Sequence, residues 1–183
     1  MKKTKILDLL RYWLQPRSTI LKDFRDNLIG EGKTRRIFID RGSDVLFMAH
    51  IDTNCAPELK KHAGNRLWAA GLDDRLGCAL ASHLAECWGV DLLLCDFEEE
   101  AKSSGQYHEL KDYNWIAEFD RNGGDVVTYD LDNDEFLENL NRYFKVGWGT
   151  FSDLCMLNTT ACCVNIGIGY KHAPTPMIIP PFF

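Results

Sequence analysis

The run VDLLLCDF at 90–97 constrains this chain more than any other segment. It has the length of a strand, is apolar almost throughout, and is bounded by Gly89 on one side and three glutamates on the other. A strand of this kind has no face to give to water. It belongs inside a sheet covered on both sides, the usual setting of parallel strands in α/β folds. The preceding residues agree: from Asp73 onward, Leu76, Leu80, Leu84 and Trp88 recur at four-residue spacing, flanked by Gly77, Ala81 and Ala85. That pattern predicts a helix starting at Asp73-Asp74, whose small residues permit close packing on a sheet.

The rest of the chain extends this alternation. Ile6, Leu9, Leu10, Trp13 and Leu14 predict an amphipathic helix, and Ser18 is placed to cap a second helix running to about Gly30. Together the two are expected to cover one face of the sheet. RRIFID (35–40) and DVLFMAH (44–50), separated by Arg41-Gly42-Ser43, form a hairpin signal. Further strands are expected at 115–119, 125–129 and 161–168, with a helix near 133–143 and another after Ser152. The expected fold class is α/β: a three-layer sandwich with a central mixed, mostly parallel sheet flanked by helices. No repeat or linker divides the chain, so residues 1–183 are read as a single catalytic domain.

Composition narrows the class of partner. The chain is 45% hydrophobic and 26% charged, within the ordinary range for globular proteins. Its formal charge of −6 and the absence of any basic run longer than a pair argue against nucleic acid. Asp8, Arg11 and Gln15 interrupt the N-terminal apolar residues, so neither a signal peptide nor a membrane span is expected there. The seven cysteines are odd in number and lack CxxC spacing. They read as reduced, mostly buried thiols of a cytoplasmic protein rather than as a disulfide framework or a thiolate zinc site.

Polar residues follow the expected strand ends at five places: His50-Ile51-Asp52, Asp73-Asp74, Glu98-Glu99-Glu100, Asp120 and His172. Each has a plain alternative. An HxD can be a surface turn, an Asp pair can open a helix, a glutamate run can be a solvated face, and Asp120 and His172 can be loop residues. The combination is harder to set aside, because ligands in open α/β sheets sit beyond the carboxyl ends of strands, where residues distant in sequence converge. Two histidines with several carboxylates make a mixed nitrogen and oxygen set that suits zinc and also manganese or cobalt.

In order, FMAHIDTN (47–54), GLDDRLGCA (71–79), DFEEEAKSSG (96–105), EFDRNGGDVV (118–127) and GYKHAPT (169–175) resemble the dinuclear zinc aminopeptidase and carboxypeptidase superfamily. The resemblance spans about Val45 to His172. It implies two zinc ions, with His50 and Asp120 on one, Glu100 and His172 on the other, and Asp73 bridging both. Asp52 would orient His50. The family's glycine six residues after its catalytic glutamate aligns with Gly105, which selects Glu99 as general base and Glu100 as ligand. A register shifted by one selects Glu98 and Glu99 instead.

The implied activity is hydrolysis of a peptide or amide bond by a metal-bridging water that the glutamate deprotonates. His50 to Asp73 and Asp120 to His172 leave no room for the family's lid or dimerisation inserts, which points to an aminopeptidase-type exopeptidase with a monomer as the default. The resemblance stops before the family's C-terminal helix, either because the form is minimal or because the C-terminus is cut short, and the family's acidic residue soon after the last histidine has no counterpart in HAPTPMI (172–178). Two alternatives keep the same residues: a deacylase or amidase acting on a non-peptide acyl-amide, and an inactive metal-binding interaction module. Segments 54–67 and 144–151 are expected to border the substrate cleft, with Trp148 either as one wall or as core packing.

Overall fold

The computed structural model describes residues 3–63, 66–170 and 177–178. The chain is α/β, with a seven-stranded mixed sheet whose centre is parallel. Its strands are β1 (Leu28–Ile29), β2 (Arg36–Ile39), β3 (Val45–His50), β6 (Asp91–Cys95), β7 (Trp115–Arg121), β8 (Val126–Val127) and β9 (Cys162–Gly167). They lie in the order β1-β2-β6-β3-β7-β9-β8. The contacts β6–β3, β3–β7 and β7–β9 are parallel, and the edge contacts are antiparallel. Every residue of β6 is buried, as its apolar run requires.

The expected hairpin between β2 and β3 does not form, because β6 lies between them. β2 pairs antiparallel with β6, and β3 pairs parallel with it. Asp91, the first residue of β6, supplies the physical reason. Its buried carboxylate accepts the backbone N–H groups of Arg41 at 2.7 Å and Ser43 at 3.1 Å, capturing the turn that a hairpin would have closed on itself.

α1 (Lys3–Trp13), α2 (Arg17–Asp23), α3 (Leu72–Trp88) and α4 (Asp134–Asn141) are the α-helices among the described residues. α2 is shorter than expected. It opens after Pro16 with no side-chain cap from Ser18, and ends where apolar spacing gives way to Arg25-Asp26-Asn27. Leu10, Trp13 and Ile20 from this region join Leu76, Ala81 and Ala85 of α3 and Phe47, Leu92 and Leu94 of the sheet in the main core. A second core, with Leu46, Met48, Leu93 and Ile116, packs against Leu154 and Leu157 at the 3-10 turn Asp153–Met156. The helix expected after Ser152 is this short turn. One sheet face therefore carries helices, and the other carries turns and loops.

Gly77 fixes the distance between α3 and the sheet. A Cβ there would overlap the carbonyl oxygen of Phe119 in β7 and lie 3.1 Å from its carbon. Only a residue without a side chain allows that approach.

β4 (Glu58–Ala63) and β5 (Arg66–Ala70) form a hairpin, and β10 (Met177–Ile178) pairs with β5 to complete a separate three-stranded sheet. Among the described residues, no helix is long and apolar enough to cross a membrane. Cys78, Cys95 and Cys163 are buried, while Cys55, Cys87 and Cys155 are exposed.

Candidate metal centre

Parallel strands end at one edge of the sheet, and three of the chemically active segments meet there. β3 ends in His50, β6 leads into the 3-10 turn Glu98–Glu100, and Asp120 lies at the end of β7. α3 brings Asp73 and Asp74 in its first turn. His50 is 2% exposed. Its Nε2 lies 3.0 Å from Asp120 Oδ1, 3.8 Å from Asp74 Oδ1 and 4.0 Å from Glu98 Oε2. On its other side, Nδ1 faces Asp52 Oδ1 at 3.4 Å. Asp52 in turn accepts the backbone N–H of Glu99 at 3.1 Å, tying the glutamate turn to the HxD segment.

The residues singled out in the sequence thus fall into separate groups. His50, Asp52 and Asp120 come together. Asp74 joins them, while its neighbour Asp73 is half-buried and lines an adjacent cavity with Asp74 and Glu99. Glu100 is not brought to the group; its carboxylate is exposed and pairs with Lys102 at 2.9 Å. His172 lies outside the described residues.

The glutamates diverge because a 3-10 turn advances by about a third of a circle per residue. Glu98 faces His50, Glu99 turns into the cleft and hydrogen-bonds Asn54, and Glu100 points to solvent. Two non-glycine residues in the left-handed region bracket the turn, Phe97 at φ 74° and Ala101 at φ 54°. Such strain persists only where surrounding contacts impose it. Here Arg17 of α2 and Arg35 both pair with buried Asp96, and the Arg17 guanidinium lies 5.3 Å above the Phe97 ring.

Electrostatics mark the group as short of positive charge. Burial pushes the Asp74 carboxyl up to about 8, reinforced by Asp73, Glu99 and Asp120 and opposed by His50. Burial likewise raises Glu98 to about 7, with Asp120, Glu99 and Asp52 adding to it. For His50, burial alone would favour the neutral ring, but the contacts with Asp120 and Asp52 and the charge of Asp74 hold its pKa well above the usual imidazole value. Asp120 and Asp52 move the other way. Burial opposes their ionisation, yet the imidazole outweighs it, together with Asn165 for Asp120 and the Glu99 N–H for Asp52.

Two carboxyls that sequence reading left out also belong here. Glu118 and Asp153 are fully buried. Burial raises Glu118, with the charges of Asp153 and Asp120 adding to it, and burial raises Asp153 to about 7. Ser152 Oγ donates to Glu118 Oε2, while neither Asp153 carboxylate oxygen has a hydrogen-bond partner among the described residues. Glu118 carried a legible signal: it precedes Asp120 by two in a strand, so both point to one sheet face.

The donor set fits a divalent cation. One imidazole nitrogen and carboxylate oxygens from three chain segments face one another in a buried group with excess negative charge. The mixed set suits zinc, manganese or cobalt, and Asp52 stands where a partner would fix the imidazole with Nε2 facing the cation.

Two cavities flank the group. One, of about 320 Å³, is lined by Asp73, Asp74 and Glu99 together with Ala69, Ala70 and Gly71. The other, of about 280 Å³, reaches Asp120 and is lined by Tyr129, Trp148, Phe151 and Tyr170. No protein-family model matches the chain, and no curated protein matches it.

Proposed function

We propose that this chain is a metal-dependent hydrolase of a peptide or amide bond, of the two-zinc aminopeptidase type. The observation that carries the reading is the convergence of His50, Asp74, Asp120 and Glu98 at the carboxyl edge of parallel strands, between two cavities. His50, Asp120 and Asp74 would hold one cation. Asp73, Asp74 and Glu99 border the neighbouring cavity and are the residues available to a second; the sequence resemblance adds His172 to that set. Such ions supply a Lewis acid for the scissile carbonyl and lower the pKa of water toward about 7.

The chain's own groups do the remaining work. Asp52 orients His50 from its far side. Glu98, held against the group and partly shielded from solvent, takes the proton of the attacking water and delivers it to the leaving nitrogen. This assignment follows the register shifted by one from the Glu99 and Glu100 pair, because Glu98 and Glu99 face the cleft and Glu100 faces water.

The test is a comparison of Glu98→Gln, Glu99→Gln and Glu100→Gln on aminoacyl and acyl-amide substrates, with metal content measured in parallel. Glu98→Gln is expected to keep its metal and lose about 10²–10⁴-fold in kcat, Glu99→Gln to lose metal, and Glu100→Gln to stay within about 2-fold of the unaltered chain. Full activity in Glu98→Gln would overturn the base assignment. Bound metal with no hydrolysis of any amide would favour an inactive binding module instead.

A further inference from the structure

We propose that the cavity beside Asp120 is a seat for one side chain of the substrate, and that it selects an uncharged aromatic residue flanking the scissile amide. This rests on the hydrolase reading above. The cavity opens onto Asp120, whose Oδ1 lies 3.0 Å from His50 Nε2, so whatever fills it lies next to the reacting bond. At about 280 Å³ it lies just below the usual range for ligand sites, roughly 300–1,000 Å³. It therefore suits a single side chain rather than an extended peptide.

The lining decides which side chain. Four of its lining residues are aromatic, Tyr129, Trp148, Phe151 and Tyr170, set among polar ones that include Asn122 and Asn165. Trp148 is 78% exposed, so it is not core packing, and it leaves a large apolar ring at the rim for a ligand to cover. The cationic residue of the lining is already neutralised: Arg121 Nε and Nη2 donate to the two oxygens of Asp125 at 2.9 and 2.8 Å. An acidic side chain thus finds no free positive partner in Arg121, and Asp120 opposes it.

The cavity is also held in shape. Tyr129 stands at φ 55°, and its hydroxyl donates to the Phe151 carbonyl at 3.1 Å. Asn165 Oδ1 accepts the backbone N–H groups of Asp120 at 3.3 Å and Arg121 at 3.1 Å. Gly149 makes room for the Tyr129 ring, since a Cβ there would lie 2.9 Å from the hydroxyl oxygen and 3.0 Å from a ring carbon. These contacts fix the Tyr129 ring and the Asp120 end of the recess, and a fixed wall rewards a rigid planar group more than a flexible one.

The experiment uses the full chain loaded with zinc. kcat and KM are measured for Phe-Ala, Ala-Phe and Ala-Ala dipeptides in the unaltered chain, Trp148→Ala and Gly149→Ala. Binding of free phenylalanine and of alanine is measured separately by equilibrium dialysis. The expected result is a preference of about 10- to 100-fold in kcat/KM for one aromatic dipeptide over Ala-Ala, expressed mainly in KM. That preference should shrink to a few-fold in Trp148→Ala and fall in Gly149→Ala, and phenylalanine binding should weaken in step. Equal use of all three dipeptides, or a preference unaltered in both variants, would overturn the proposal. Phenylalanine binding that depends on Trp148 in a chain that cleaves none of the dipeptides would support the seat while overturning the hydrolase reading.

Discussion

Gly77→Ala separates helix propensity from packing at the point where α3 meets the sheet. On propensity alone, alanine in a helix interior is favoured over glycine by about 1 kcal/mol. Packing acts in the opposite direction. The added Cβ would overlap the Phe119 carbonyl oxygen, lie 3.1 Å from its carbon and touch Ala49 Cβ at 3.7 Å. The obstacle is strand backbone, so no side-chain rotation relieves it; α3 must move by something on the order of 1 Å, and overpacking of this kind costs about 1–3 kcal/mol, sometimes more. The move also loosens Leu76, Ala81 and Ala85 from the main core. With the loosened packing added and the propensity gain subtracted, a net loss of about 1–3 kcal/mol is expected, which lowers the melting temperature of a chain of this size by about 2–12 °C. Because α3 carries Asp74, 3.8 Å from His50 Nε2, zinc affinity should fall as well. Urea unfolding and zinc titration measure the two effects. Gly124→Ala, whose Cβ would meet nothing within 4 Å, is the neutral control. A Gly77→Ala chain as stable as the original would refute the packing argument.

Two further outcomes follow from buried charge. In metal-free protein, Asp74 with a pKa of about 8 and Glu98 with one of about 7 keep protons that the unfolded chain has released, and His50 acts in the same direction above 6.5. Stability should therefore fall as pH rises from 6.5 to 8, by several kcal/mol as an order of magnitude, and zinc should reverse the trend. Below 6.5 the effect is opposed by His108, whose pKa is lowered to about 4, chiefly by burial. Urea midpoints with and without chelator measure this, and a flat or rising midpoint between pH 6.5 and 8 without metal would contradict it. Asp91→Ala removes the acceptor of two part-buried backbone N–H groups and of the buried Tyr113 hydroxyl at 2.9 Å, leaving these donors unpaired. A loss of about 2–4 kcal/mol is expected in urea unfolding, and a change under about 0.5 kcal/mol, the size of an ordinary surface substitution, would refute it.

The parts of the fold that the sequence announced are those whose pattern reports burial directly. β6 is apolar after its first residue, α3 has leucines at helical spacing, and β3 and β7 end in polar residues at the sheet edge. β4 and β5 were not legible, because ELKKHA is largely exposed and shows no alternation of apolar and polar residues. The β2–β3 hairpin failed for a long-range reason, since a turn signal carries no record of Asp91 capturing its N–H groups. At the site, His50, Asp52 and Asp120 were legible from their places after strands. The choice among Glu98, Glu99 and Glu100 was not, because it depends on the phase of a short 3-10 turn. Asp153 was not legible either, because its burial arises only once the loops have packed.

Metal content per chain, by elemental analysis of protein purified without chelators, tests the central claim most directly when measured beside an Asp120→Asn variant. The account expects about two divalent ions per chain, zinc foremost, with a clear fall in the variant. Protein that carries no bound metal, or a variant that carries as much as the unaltered chain, would contradict it.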